Sequence, residues 1–367
     1  MLEKESLSNL VTISHDPTLS RAVQAVKLCI NHLIQPQHYI SREGLFNLRI
    51  NNEYDIIRRL DGKPVLEGDD SWESIRRGYE DGWNDQVGFF RQNLHMGLLV
   101  EALSNLQNCR RVGLGDHVRP WGALIHAVVS IRTLLYAIIK SRLPVEHISI
   151  EFGDSIAGCI CVIPKMLLLL RNLERAVSSQ LHTVTTLHLM VNPTPCDNKF
   201  DCEMPPTDPT SGETQGWISE FLAFLGLFTA ISDLNLVFMN RDERYQFPEL
   251  SQLLLVPGLQ TLHLGFLDCT ISELTALLER HKATLRTVSL KSVSLIGEGL
   301  DSWLSVVAFL QHKLSVEVLY LEGCFSEDAE HRTHITLPRS LYAENPQELD
   351  ELVAELKHTQ KKEDRIS

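Results

Sequence analysis

One arrangement of aliphatic positions returns along the chain: an aliphatic residue or cysteine, two others, an aliphatic, one other, an aliphatic. It reads Val23-x-x-Val26-x-Leu28, Cys109-x-x-Val112-x-Leu114, Val145-x-x-Ile148-x-Ile150 and Val184-x-x-Leu187-x-Leu189. It continues as Ile231-x-x-Leu234-x-Leu236, Leu259-x-x-Leu262-x-Leu264, Leu285-x-x-Val288-x-Leu290 and Val316-x-x-Leu319-x-Leu321. Residues i and i+2 of a strand share a face, so the last two aliphatics of each copy point into a core, and the residue three earlier closes it. One such strand cannot bury its apolar face alone. Parallel neighbours joined by crossovers can.

The crossovers read as helix-period segments. Ile271–Arg280 places Ile271, Leu274, Leu277 and Leu278 on one side. Leu300–Gln311, after the breaker Gly297-Glu-Gly299, does so with Leu300, Trp303, Leu304, Val307 and Leu310. Trp217–Phe228, Pro164–Val177, Trp121–Ile139 and Val87–Leu106 fill the same role between earlier strands. The central aliphatics lie 86, 36, 39, 47, 28, 26 and 31 residues apart. The last three intervals are at or near the leucine-rich-repeat period of about 20–29 residues, and the longer ones read as the same unit with insertions. The expected fold class is therefore α/β: an irregular leucine-rich-repeat solenoid with parallel inner strands and outer helices.

This divides the chain into a lead-in (1–22), the solenoid (23–325), and a C-terminal capping helix with a frayed tail (326–367). Insertions fall at about 35–85 and 190–216. The first carries turns at Asp61-Gly62 and Gly68-Asp-Asp70, with short amphipathic pieces at Tyr54–Leu60 and Trp72–Tyr79. The second holds five prolines and few aliphatics, the composition of a long loop. Asn345-Pro346-Gln-Glu348 reads as cap, first-turn proline and first-turn acid. The helix it opens should reach about Lys357 and lay Leu349, Leu352, Val353 and Leu356 over the last repeat.

Charge and composition narrow the function. With 34 Lys+Arg against 47 Asp+Glu, the net charge of −13 repels phosphate backbones, so nucleic acid is not an expected partner. The longest apolar stretch, Trp121–Ile139, has His126 and Arg132 near its middle, which argues against a membrane span. The charged start lacks the apolar core of a secretory signal. Cysteines 29, 109, 159, 161, 196, 202, 269 and 324 form no C-x-x-C pair, as expected of reduced thiols in a cytoplasmic or nuclear protein.

Enzyme chemistry finds no foothold. There is no phosphate-binding glycine loop, no G-x-S-x-G elbow and no H-E-x-x-H pair. Ser14-His15-Asp16 reads as turn chemistry before Pro17, because triads form by spatial approach and not by adjacency. Cys196 and Cys202, with Asp197, Asp201 and Glu203, match no zinc spacing. His188 and His263 share a column two strands apart, about 10 Å, whereas a metal needs its nitrogens at about 2.0–2.1 Å. No catalytic residue, cofactor or metal is expected.

What remains is the inner, concave face, the usual binding surface of a solenoid. Its candidate partner-binding residues are Arg111, His147, Ser149, Glu151, His188, Asn235, His263, Ser289, Lys291 and Tyr320, flanked by Lys27, Thr186, Asp233, Thr261 and Glu322. The strip is polar with mixed charge and suits an extended protein or peptide. Tyr320 offers contact area with a polar tip.

Two stretches carry a resemblance. Pro257-Gly-Leu-Gln-Thr-Leu-His-Leu through Leu-Leu-Glu-Arg-His-Lys-Ala-Thr-Leu-Arg-Thr-Val-Ser-Leu-Lys-Ser-Val-Ser-Leu, ending at Leu295, resembles fungal F-box/leucine-rich-repeat proteins. Ile13-Ser-His-Asp-Pro-Thr-Leu-Ser-Arg-Ala-Val-Gln-Ala-Val-Lys-Leu resembles the segment that follows the F-box in that family. The resemblance implies a substrate-recognition part of a cullin-type ubiquitin ligase subunit, the alternative being a freestanding leucine-rich-repeat scaffold. Only about ten residues precede the matched segment, so the F-box itself is expected to be missing, and a Skp1-type adaptor is an implied partner only if an F-box lies upstream. The family's Asn/Cys rung, three residues past each strand's last aliphatic, falls on Asn31, Asn192 and Cys324. Elsewhere it is replaced by His117, Gly153, Met239, Leu267 and Val293, so the repeats should be irregular.

Overall fold

The computed structural model describes residues 4–29, 69–115, 124–151, 181–191, 217–238, 247–296, 299–327, 334–337 and 340–363. Each of the eight aliphatic patterns contributes a strand: β1 (Ala25–Cys29), β2 (Arg111–Gly115), β3 (His147–Glu151), β4 (Thr186–Val191) and β5 (Asp233–Phe238). The series continues with β6 (Thr261–Gly265), β8 (Thr287–Lys291) and β10 (Val318–Glu322). They lie side by side in chain order, each parallel to the next. A ninth strand, β13 (Leu341–Ala343), closes this sheet antiparallel to β10.

The register is strict. Val26, Val112, Ile148, Leu187, Leu234, Leu262, Val288 and Leu319 form one column of Cα partners. Leu28, Leu114, Ile150, Leu189, Leu236, Leu264, Leu290 and Leu321 form a second. All sixteen are buried, and so are the closing residues Cys109, Val145, Val184, Ile231, Leu259, Leu285 and Val316. Slipping one strand by one residue would turn its aliphatics to the polar face, so the alternation itself holds the register.

Helices cover the apolar columns. They are α1 (Lys4–His15), α2 (Leu19–Ala22), α3 (Asp69–Arg91), α4 (Leu94–Asn105), α5 (Leu124–Ser141) and α6 (Trp217–Leu225). The rest are α7 (Phe247–Leu253), α8 (Ile271–Arg280), α9 (Gly299–Lys313) and α10 (Pro346–Glu363). The helical Leu99, Leu103, Ile131, Leu134, Leu274, Leu277 and Trp303 join the strand aliphatics in one continuous core. Among the described residues no helix is long and apolar enough to cross a membrane.

Local chemistry sets several helix ends. Thr270 accepts from the Glu273 amide at 3.3 Å while Glu273 accepts from the Thr270 amide at 2.8 Å, a reciprocal cap for α8. Asn345 accepts from the Glu348 amide at 3.0 Å and starts α10, whose Leu349, Leu352, Val353 and Leu356 are buried as it packs on α9. Asp16 Oδ1 accepts from the amides of Thr18 and Leu19, both at 2.8 Å, and caps α2.

A second ladder runs beside the first: β7 (Asp268–Thr270), β9 (Ser294–Ile296), β11 (Phe325–Glu327) and β12 (His334–Thr336). The first three are parallel and β12 is antiparallel to β11. The turn leading into it repeats. Phe266, Ser292 and Gly323, each the residue after a main strand, all take left-handed backbone, with φ of 55°, 52° and 59°. Glycine adopts this freely, while Phe266 and Ser292 hold it at roughly 1–2 kcal/mol each. Their amides donate to Lys291 O at 2.9 Å and Glu322 O at 2.7 Å on the next strand, which supports the strained turn. The side chains that follow, Leu267, Val293 and Cys324, drop into the core.

Several sequence expectations are corrected. The helix expected over Val87–Leu106 is two helices, α3 and α4, separated where Asn93 takes φ 55°. Asp69 and Asp70, expected in a turn, are the first residues of the 23-residue α3, and the expected helical piece Trp72–Tyr79 lies inside this longer helix. Gly68 lies outside the described residues. Within the lead-in, Lys4–His15 and Leu19–Ala22 are helical, with Leu7 of α1 buried as α1 packs against α4. Helix α7, β13 and the second ladder were not expected. The pieces at Tyr54–Leu60 and Pro164–Val177, the turn at Asp61-Gly62 and residues 192–216 lie outside the described residues.

Candidate functional site: the polar face of the nine-stranded sheet

The face opposite the helices is built by the residues between the aliphatics. One polar column runs Arg111, His147, Thr186, Asp233, Thr261 and Thr287. The next runs Lys27, Gly113, Ser149, His188, Asn235, His263, Ser289 and Tyr320, and Tyr342 of β13 extends it. Glu151, Lys291 and Glu322 stand at the strand ends. All ten candidate residues lie on this face. The structure gathers some of them into two clusters and leaves others apart.

The first cluster depends on glycine. Strand β2 reads Arg-Val-Gly-Leu-Gly, so two of its three face positions carry no side chain. A Cβ at Gly115 would come within 2.1 Å of Lys27 Cε, and one at Gly113 within 2.4 Å of Ser149 Oγ. Lys27 of β1 therefore lies over β2 and reaches Glu151 of β3, Nζ to Oε2 at 2.8 Å. From the other side His188 Nδ1–H donates to Glu151 Oε1 at 2.9 Å. The His188 bond first, and the Lys27 ammonium second, hold the Glu151 carboxyl down to about 2 despite partial burial. The outer nitrogen of His188, Nε2, is sealed from solvent and has no hydrogen-bond partner among the described residues.

His147 and His263 flank this cluster. Burial pushes both imidazoles below their ordinary range, opposed by the charge of Asp233. Asp233 Oδ1 stands 3.8 Å from His263 Nε2, a charge contact longer than a hydrogen bond. His188 adds to the downward push on both rings.

The second cluster sits at the C-terminal end. Tyr320 O–H donates to Glu322 Oε2 at 3.0 Å, and Lys291 Nζ stands 3.3 Å from the same oxygen. The rings of Tyr320 and Tyr342 meet edge to face with centroids 6.2 Å apart. Tyr342 is exposed and donates to Glu344. Arg111 is exposed without an ion pair among the described residues. Ser149, Asn235 and Ser289 line the central column, with no side-chain hydrogen bond of their own among the described residues. Sequence reasoning missed Tyr342 because β13 is three residues long and carries none of the repeat pattern. The glycine floor was readable in Val-Gly-Leu-Gly, whose small residues fall on outward positions.

The other singled-out residues make local structure. Ser14 donates to Val11 O at 2.7 Å, His15 Nε2–H donates to Glu101 at 2.9 Å, and Asp16 caps α2, so the three serve separate elements. Cys109, Cys269 and Cys324 are buried free thiols, and burial raises each, Cys324 to about 11. Cys324 Sγ–H donates to Leu290 O at 3.3 Å on the preceding repeat. At the equivalent positions of the two preceding strands, Leu267 and Val293 are buried apolar side chains. Asn31, Asn192, His117, Gly153, Met239, Cys196 and Cys202 lie outside the described residues. Among the described residues no three metal-ligating side chains converge. Comparison with models of known families and with curated proteins found no match.

Proposed function

We propose that this chain is a protein-recognition module, an irregular leucine-rich-repeat solenoid that presents the polar face of its sheet as a concave binding surface. One observation carries the reading. Eight parallel strands in chain order hold their aliphatic columns in strict register and so present two continuous polar columns on a hydrogen-bonded sheet. A face of this kind offers spaced side chains to an extended partner, not a closed cavity to a small molecule. The resemblance of Ile13–Leu28 and Pro257–Leu295 to fungal F-box/leucine-rich-repeat proteins extends the proposal to substrate recognition in a ubiquitin ligase.

Affinity purification of the chain from its own cells, with mass spectrometry of what accompanies it, tests both levels. Partners lost in the double variant Tyr320→Ala, Lys291→Glu would support recognition by this face. Partners retained by that variant, folded as wild type, would refute it. Co-purification of a Skp1-type adaptor supports the ligase reading. Its absence beside other specific partners favours the freestanding scaffold.

A further inference from the structure

Arg111 and His147 are direct neighbours in register on β2 and β3. The carboxylates near them already have partners. Glu151 takes Lys27 and His188, Asp233 stands 3.8 Å from the His263 ring, and Glu146 stands 3.5 Å from Arg110. Arg111 has no such partner among the described residues. In a chain of net charge −13, this leaves the exposed Arg111 guanidinium with no carboxylate against it among the described residues. The groups facing His147 are Arg111 from β2, Glu151 on its own strand, His188 from β4 and Asp233 from β5.

We propose that Arg111 and His147 dock a carboxylate carried by an extended acidic segment of a partner protein, which then runs across the strands over His188 and Asn235 to His263. The inference rests on the recognition reading above and adds the chemistry of the partner. A guanidinium grips a carboxylate with two parallel bonds. From β2 to β6 is four strand spacings, about 19 Å, the reach of roughly six extended residues. Glu151 and Asp233 border the docking point, so a singly charged carboxylate fits better than a doubly charged phosphate. Burial lowers the proton affinity of His147 and His263 when the face is empty, against the opposing charge of Asp233. A carboxylate laid against them favours their charged forms, so binding takes up protons and strengthens as pH falls.

The probe is an octapeptide of alternating glutamate and serine, with glutamine–serine, lysine–serine and phosphoserine–serine octapeptides as comparisons. Calorimetry on the full chain at pH 7.5 and 6.0, in buffers of different ionisation enthalpy, reads affinity and protons together. The expected result is binding of the glutamate peptide over the glutamine one, about tenfold tighter at pH 6.0, with net proton uptake. His147→Gln should lower that uptake. Arg111→Glu should shift preference to the lysine peptide, and Arg111→Gln serves if that reversal fails to fold. Equal binding of glutamate and glutamine peptides, a pH-independent affinity, or indifference to both substitutions would overturn the proposal. Tighter binding of the phosphoserine peptide would overturn the carboxylate assignment. If the probe fails while co-purified partners still require Tyr320 and Lys291, this inference falls and the recognition reading stands. If the probe binds but no cellular partner depends on the face, the recognition reading falls.

Discussion

Replacing Leu262 by aspartate tests the strand register at its centre. Leu262 lies between Leu234 and Val288 with no exposure to solvent. Losing its side chain from the core forfeits about 1.5–3 kcal/mol. The carboxyl that takes its place has no partner there, so it must enter neutral. Holding an aspartate protonated at pH 7 against an unfolded value near 3.9 costs about 4 kcal/mol. The neutral carboxyl then adds about 1–3 kcal/mol as an unsatisfied polar group. The total is comparable to the whole stability of an ordinary domain, about 5–15 kcal/mol. The matched control is His263→Gln, one residue along and on the polar face. Glutamine is chosen because aspartate there would set a second carboxylate beside Asp233. Its expected effect is within about 0.5 kcal/mol. Urea unfolding followed by circular dichroism compares the two. The pH dependence supplies a second reading. The buried carboxyl binds its proton more tightly folded than unfolded, so the Leu262→Asp penalty should shrink by about 1.4 kcal/mol per pH unit between pH 7 and 5. Equal damage from both substitutions, or a penalty indifferent to pH, would refute the register.

His281 is buried, donates from Nδ1 to Leu277 O at 3.0 Å, and accepts the Val256 amide on Nε2 at 3.0 Å. Burial depresses its protonation, so its stabilising effect is complete above pH 6.5 and lost as pH falls through the depressed folded value; His281→Leu should flatten that acid-side slope in pH-stepped melts and leave the Val256 amide unpaired, at about 1–3 kcal/mol. Gly115→Ala drives its Cβ into the Lys27 side chain and should break the half-exposed Lys27–Glu151 pair for up to about 1 kcal/mol; in a double-mutant cycle with Lys27→Met most of that loss should vanish. Trp303 donates to Phe325 O at 3.0 Å inside the core, so Trp303→Phe should lower urea stability by about 1–3 kcal/mol through the lost hydrogen bond and the lost ring volume.

The repeat strands were legible because period-two alternation is a local signal that burial enforces everywhere. All eight copies formed strands, and Ile271–Arg280 matches α8 residue for residue. What the pattern could not carry was anything set between elements. The pieces β7, β9 and β11 are three residues each and include buried polar residues, Asp268, Ser294 and Ser326. No hydrophobic period marks them, and they exist because neighbouring repeats supply hydrogen-bond partners. Their left-handed entry turns at Phe266 and Ser292 use residues that turn chemistry would not select. The site shows the same division. That Glu151 and His188 share a face followed from alternation, but the bridge from Lys27 across β2 requires the absence of a side chain at Gly115, which no residue-by-residue reading weighs.

That division runs through the molecule. The three closely spaced repeats around β6, β8 and β10 carry the second ladder and the repeated left-handed turn, so they are fixed by two sheets at once. The strands β1 to β4 have no second ladder among the described residues, and there the face carries the glycine floor, the shared Glu151 carboxylate and two of the three inner imidazoles. Polar groups half-withdrawn from water destabilise a fold unless partnered. The cross-strand bonds from Lys27 and His188 are what let such groups stand there without loosening the sheet. A surface whose charges already hold one another in place meets a partner with less ordering left to do. If the face recognises a partner as proposed, the N-terminal strands add discrimination to the contact area that Tyr320 and Lys291 offer at the C-terminal end. Substitutions at Lys27 and Glu151 should therefore alter partner choice more than they alter unfolding.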